Sequence, residues 1–336
     1  MHQNDTMHVF FEVQPWEQKL FESAFPGCVC VADPLTSANI ASYADAEVIS
    51  VFIYSQVTTE LIDKLPRLKM ISTRSTGYDH VAAAYAKSKG IIVANVPEYG
   101  SNTVAEHTFA LILALSRKVF PSILQVKNPD FTHTNLTGTD IFGKTIGVVG
   151  LGKIGLRVVQ IARGFGMRVL VYNRTQKDEL AAIYGFTFVS FNDLLSQSDV
   201  ITFHLSLNPE TKGILNMDNI YRVKKGAYLV NTARGGLIQT ESLVWALQQD
   251  ILAGIGLDVL EEEKELVDEI AILSPTYQKE HNLQNLVYNH MLLHHPHVII
   301  TPHNAFNSQE ALTRIIQTTI ENIKAFASGR PQNTVT

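Results

Sequence analysis

The stretch VVGLGKIGLRVVQIARGFGMRVLVYNRT, residues 148–175, constrains the fold more than any other part of the chain. An apolar run enters Gly150, Gly152 and Gly155 in the spacing GxGxxG, and a helix-like segment and a second apolar run follow. The first glycine of such a turn allows the bend. The second lets the backbone approach a ligand, and the third lets helix and strand touch. The helix that opens there offers N–H groups and the positive end of its dipole to an anion, with Lys153 and Ile154 inside the turn. The spacing alone is a weak signal. With strand, turn, helix and strand in order, it predicts a dinucleotide-binding βαβ unit.

The second apolar run ends at Asn173, 18 positions after Gly155, where an NAD site places an acid on the ribose. Asn173, Arg174 and Thr175 stand there instead. Asparagine does not repel a phosphate and arginine pairs with one bidentately, so the cofactor expectation is NADP or NAD with the lean towards NADP. The same residues also fit an arginine that points into solvent.

Short apolar runs separated by helical segments recur on both sides of this unit. HVFFEV, CVCVA, EVISVFIY, LKMISTRS and IIVANV precede it, and VITFHL, AYLVNT, AGIGLDV and VIIT follow. That alternation predicts parallel sheets with crossover helices. A chain of 336 residues, 46% hydrophobic and 18% charged, has room for about two such domains. NTVAEHTFALILALSRKV reads as a buried helix, capped by Asn102 or Thr103 and closed by a Lys/Arg pair. SQEALTRIIQTTIENIKAFASG reads as an amphipathic helix ending at Gly329, and residues 264–297 as a loop-rich insertion.

Several function classes fall away. A net charge of −5 and a pI near 6.2 argue against nucleic-acid partners. No apolar run reaches the roughly 18 residues of a membrane helix, and the first residues lack a signal-peptide pattern, so a cytoplasmic protein is expected. The cysteines, Cys28 and Cys30, share one face if CVCVA is a strand, and read as ordinary thiols. His290, His294, His295 and His297 lack the cysteine or carboxylate frame of a zinc site, so no metal is expected.

Polar groups gather just past the late strands of the glycine-rich domain, where ligands bind in open α/β sheets. VNTARGGLI carries Thr232, Ala233 and Arg234, GLDVLEEE carries Asp258 and Glu263, and TPHNAF carries His303. With STRSTGYDHV, VPEYGSNTVAEHT and FHLSLNPETKGIL, these segments resemble the D-isomer-specific 2-hydroxyacid dehydrogenases over nearly the whole chain. VFIYSQV and the insertion before His303 look most like the D-lactate dehydrogenase branch.

The resemblance implies a discontinuous flavodoxin-like substrate domain (1–100 and 305–336) and a Rossmann NAD(P)-binding domain (101–304), with an interdomain cleft. It implies an oxidoreductase that reduces pyruvate, glyoxylate or hydroxypyruvate to the D-2-hydroxy acid. Arg234 would hold the substrate carboxylate and polarise the 2-oxo group. His303 would donate the proton, and Glu263 would hydrogen-bond the imidazole; Glu261 and Glu262 fit that last role if the alignment slips. Tyr54, Ser75, Thr76, Gly77 and Tyr99 would form the substrate pocket, with Phe306 bearing on its size. His204, Thr232, Ala233 and Asp258 would lie on the cofactor. A homodimer is implied, with the helix starting near Thr103 and FPSILQVKNPDF as its arm. Glu263 separates the chain from formate dehydrogenases, and Thr76 from phosphite dehydrogenases, while Ser206 departs from the proline of the family's HLPL. Corepressors that share the fold and bind NAD(H) are the non-catalytic alternative.

Overall fold

A computed structural model of the chain describes residues 7–261 and 283–335. They form two compact units, one from residues 7–99 together with 307–335 and the other from 100–261 together with 283–306.

Unit 1 holds five parallel strands: β1 (His8–Phe10), β2 (Val29–Cys30), β3 (Val48–Val51), β4 (Met70–Thr73) and β5 (Ile92–Ala94). Their order is β2-β1-β3-β4-β5, the doubly wound arrangement of flavodoxin-like sheets. The strands are short and largely buried, with Ser50, Ser72 and Thr73 among their apolar residues. One face buries Val9, Ile49, Ile71 and Val93. On the other, Phe10 stacks on Phe21 of α1 (Pro15–Ala24), with ring centroids 4.1 Å apart. Helices α2 (Thr59–Asp63) and α3 (Ala83–Ser88) complete the crossovers.

Among its described residues unit 2 holds seven strands: β6 (Thr145–Val149), β7 (Arg168–Tyr172), β8 (Thr187–Phe188), β9 (Val200–Phe203), β10 (Ala227–Asn231), β11 (Leu252–Leu257) and β12 (Val298–Ile300). All pairings are parallel, in the order β12-β11-β10-β9-β6-β7-β8. This is the dinucleotide-binding order with a seventh strand added, and it reverses between β6 and β9. Helices α4 (Ser101–Ser116), α5 (Val119–Lys127), α6 (Lys153–Gly164), α7 (Asp178–Tyr184), α8 (Phe191–Gln197), α9 (Thr240–Gln248) and α10 (Leu283–Leu293) lie in this unit. Val149 points into one hydrophobic layer, and Ile146 and Val148 into the other.

The last helix, α11 (Gln309–Ala327), returns to unit 1. The Ser308 hydroxyl accepts from Ala311 N at its start, and Gly329 turns left-handed (φ 73°) just past its end. Ala311, Ile315, Ile316, Thr319 and Ile323 repeat at helical spacing and are buried.

Three details depart from the sequence expectations. Gly100, with no side-chain cap, precedes α4, so Asn102 and Thr103 lie inside its first turn. Residues 283–293 form a helix within the stretch expected to be irregular. Strand β8, two residues on a sheet edge, carries too little periodicity to be seen in sequence. Among the described residues no single helix is long and apolar enough to cross a membrane.

Candidate active site

The reversal of strand order puts the loops after β6 and β9 side by side at the carboxyl edge of the unit 2 sheet. Gly150 is left-handed (φ 104°), and a Cβ there would lie 2.9 Å from the His204 backbone. At Gly155 a Cβ would lie 2.0 Å from the Gly150 carbonyl, so only glycine lets α6 start so close to β6. Gly152 has open space where its Cβ would be, and α6 has no side-chain cap. The turn is therefore open at the one point where a pyrophosphate must approach, and it fits a dinucleotide.

Asn173 ends β7 by tying the turn in place. Its Oδ1 accepts from Leu151 N (3.0 Å), and its Nδ2 donates to Thr175 O (2.6 Å). Arg174 is exposed and pairs with Glu210 at 2.6 Å. His204 leaves β9 with its Nε2 by the Thr202 hydroxyl (2.9 Å) and its Nδ1 buried with no hydrogen-bond partner among the described residues. Burial pushes its pKa down to about 3, so the ring is neutral near pH 7. A neutral buried ring with an unmatched polar atom suits a cofactor-side position.

Arg234 follows β10 in an extended conformation, and its Nη1 donates to Ala233 O (2.8 Å). Asn231 closes the loop from both sides, donating to Arg234 O (2.9 Å) and accepting from Ala233 N (3.0 Å). Gly235 is needed because a Cβ there would meet the Leu260 backbone at 2.1 Å. Thr232 shares a buried hydroxyl contact with Thr108 of α4 (2.9 Å).

Asp258 is 1% exposed and gathers the loop that carries His303. It accepts from the Thr301 hydroxyl (2.5 Å), Asn304 N (2.8 Å) and Ala305 N (2.8 Å), while its own carbonyl accepts from His303 N (2.9 Å). His303 is held left-handed (φ 49°), which is costly for a residue with a side chain and marks a conformation imposed by its surroundings. His107 of α4 joins this group, 3.1 Å from the Thr301 hydroxyl and 3.6 Å from Asp258 Oδ1. The sequence gives no sign of this clamp, because its members lie on three separate segments. The resemblance gave Asp258 a cofactor role; its oxygens are here engaged within the protein.

Glu261 is committed elsewhere. Its carboxylate accepts from Thr240 N (3.2 Å) and the Thr240 hydroxyl (3.1 Å) at the start of α9. Glu262 and Glu263 lie outside the described residues.

In unit 1 the residues expected in the substrate pocket also follow strand ends. Ser75 is buried, its hydroxyl donating to Gly77 O (2.6 Å), so it shapes the turn from within. Thr76 bonds Val96 O (2.8 Å), and its carbonyl accepts from Asn95 (2.7 Å). Tyr99 O accepts from Arg314 of α11 (2.7 Å). Tyr54 is 56% exposed.

The chain is similar to known proteins along most of its length. Residues 109–305 match the family model described as D-isomer specific 2-hydroxyacid dehydrogenase, NAD binding domain. A D-specific alpha-keto acid dehydrogenase of Enterococcus faecium is 38% identical over 294 residues, 87% of this chain and 87% of that one. D-lactate dehydrogenase kk1H of Curvularia clavata is 34% identical over 303 residues, 89% of this chain and 83% of that one. The crystal structure of D-lactate dehydrogenase from Aquifex aeolicus, complexed with NAD and lactic acid, superposes with a TM-score of 0.86. It is 35% identical and covers 96% of each chain.

Proposed function

The chain belongs to the D-isomer-specific 2-hydroxyacid dehydrogenase family, and from that premise we propose that it reduces a small 2-oxo acid to the D-2-hydroxy acid. Pyruvate, glyoxylate and hydroxypyruvate are the substrates proposed. The observation that carries this reading is the convergence of the glycine turn, the Arg234 loop and the Asp258-clamped His303 loop on one sheet edge.

The nicotinamide supplies the hydride when bound. Gly150, Gly152, Lys153, Ile154 and Gly155 would hold its pyrophosphate, and Asn173, Arg174 and Thr175 the adenosine end. His204, Thr232, Ala233 and Asp258 would border the nicotinamide side. Arg234 would take the substrate carboxylate with its fixed guanidinium fork and polarise the 2-oxo group. His303 would give its proton to the carbonyl oxygen during reduction and recover it in reverse. Positioned acid–base catalysis of this kind contributes roughly 10²–10⁴-fold. Glu263 is proposed to favour the protonated imidazole.

NADPH is the proposed preference over NADH, because Asn173 is neutral and Arg174 is exposed beside it. We also propose a homodimer joined through α4 and α5, since α5 buries none of its residues and exposes Val119, Phe120, Ile123, Leu124 and Val126.

The test is initial rates of NADH and NADPH oxidation with each of the three 2-oxo acids, in wild type and His303→Ala. Turnover in wild type is expected, with a loss of at least about 10²-fold in the variant and unchanged cofactor binding by fluorescence. Wild-type activity that survives His303→Ala would remove that residue from the chemistry.

A further inference from the structure

Glu12 follows β1 as a buried carboxylate, 7% exposed, in a left-handed backbone conformation (φ 57°) that glycine or asparagine would adopt more easily. Its backbone is pinned from two sides: Glu12 N donates to Asp33 O (3.2 Å), and Glu12 O accepts from Arg74 Nη2 (2.9 Å). That conformation aims the side chain at the segment after β3. Oε2 accepts from Phe52 N (2.8 Å) and the Ser55 hydroxyl (2.5 Å), and Oε1 accepts from Tyr54 N (2.8 Å).

All three partners are donors, so the position calls for a group that only accepts. Residues 52–55 lie past the end of β3, and Glu12 satisfies backbone N–H groups there that no strand reaches. Ser55 extends the tie, its oxygen accepting from Leu35 N (2.9 Å).

Arg74 closes the assembly from beneath. Its fully buried guanidinium donates to Phe11 O (2.6 Å), Glu12 O (2.9 Å) and Ser50 (3.3 Å), and lies 5.7 and 5.9 Å from the Phe21 and Phe52 ring centres. Arg74 directly precedes Ser75, Thr76 and Gly77, and its N–H bonds Val51 O (2.8 Å). The segments after β1, β3 and β4 are therefore fixed to one another at the sheet edge, and Tyr54 stands on the one held by Glu12.

We infer that Glu12 is a positioning residue for substrate: its carboxylate sets the backbone of residues 52–55 and so the place where the Tyr54 side chain meets the 2-oxo acid. This rests on the proposed reading in which Tyr54 lines the substrate pocket. Glu12→Gln sets an amide NH₂ against at least one of the donors the carboxylate now accepts, and it releases Tyr54 without touching the cofactor site.

The experiment is a double-mutant cycle in steady state, with wild type, Glu12→Gln, Tyr54→Ala and the double variant, on glyoxylate, pyruvate and hydroxypyruvate. Glu12→Gln is expected to raise KM about tenfold while kcat changes less than about twofold, with cofactor Kd unchanged. In the Tyr54→Ala background the same substitution should add nothing. Ser55→Ala, which removes one of the three donors, is the milder variant if Glu12→Gln does not fold, and it should raise KM about threefold. An unchanged KM, or equal effects with and without Tyr54, overturns the inference alone. Absence of wild-type turnover on every 2-oxo acid overturns it together with the reading beneath it.

Discussion

Arg174 meets Glu210 across 2.6 Å, and both side chains are largely exposed. A 2′-phosphate would have to draw the arginine from that carboxylate, and an exposed pair of this kind gives it up at small cost. Arg174→Ala is expected to weaken NADPH binding about 10–100-fold and leave NADH nearly unchanged, as read by fluorescence titration. Equal losses for both cofactors would sink the role. His204 supplies a pH test. Its native pKa lies near 3, and the unfolded imidazole takes up a proton near pH 6.5. Between those values the unfolded chain binds more protons, so stability falls as pH drops, by about 1.4 kcal/mol per pH unit from this residue. Urea unfolding at pH 7 and pH 5 should show a smaller loss in His204→Asn than in wild type. An identical loss would mean the ring charges freely in the folded protein. At this scale the sequence shows which residue types stand past which strands, because glycine spacing and strand ends are local properties. The Asp258 clamp and the acid at position 12 depend on segments far apart in sequence, so nothing local announces them.

Among elements, the long runs with clear periodicity are legible and the short ones are not. TIGVVG and RVLVY become β6 and β7 because a parallel strand covered on both faces is apolar throughout. The helix at 283–293 hides within a polar segment rich in asparagine and histidine. The junction of β6 with α6 is sensitive to substitution. Gly155→Ala would force a methyl against the Gly150 carbonyl, backbone against which little can yield. It is expected to lower stability by about 1–3 kcal/mol and abolish cofactor binding. Calorimetry with and without NADH checks both, and a variant that still gains stability from NADH would contradict it.

For the whole molecule, the exposed apolar side of α5 predicts association. Sedimentation should find two chains in wild type and one in the variant carrying Phe120→Glu and Ile123→Glu; a wild-type monomer would refute the proposed dimer. The division into two units has another consequence, in the order in which the protein is made. The chain leaves unit 1 after Tyr99 and returns at Asn307. Only then does α11 arrive to cover β4, Asn322 to bond Asn95 O, and Val335 N to bond Val93 O. A ribosome adding about 5–20 residues per second needs roughly 10–40 s for the part between. Through that interval the half synthesised first waits with the β4 part of its sheet, which α11 will cover, facing solvent or a chaperone. Unit 2, unbroken in sequence, has every strand it needs before its older neighbour can close.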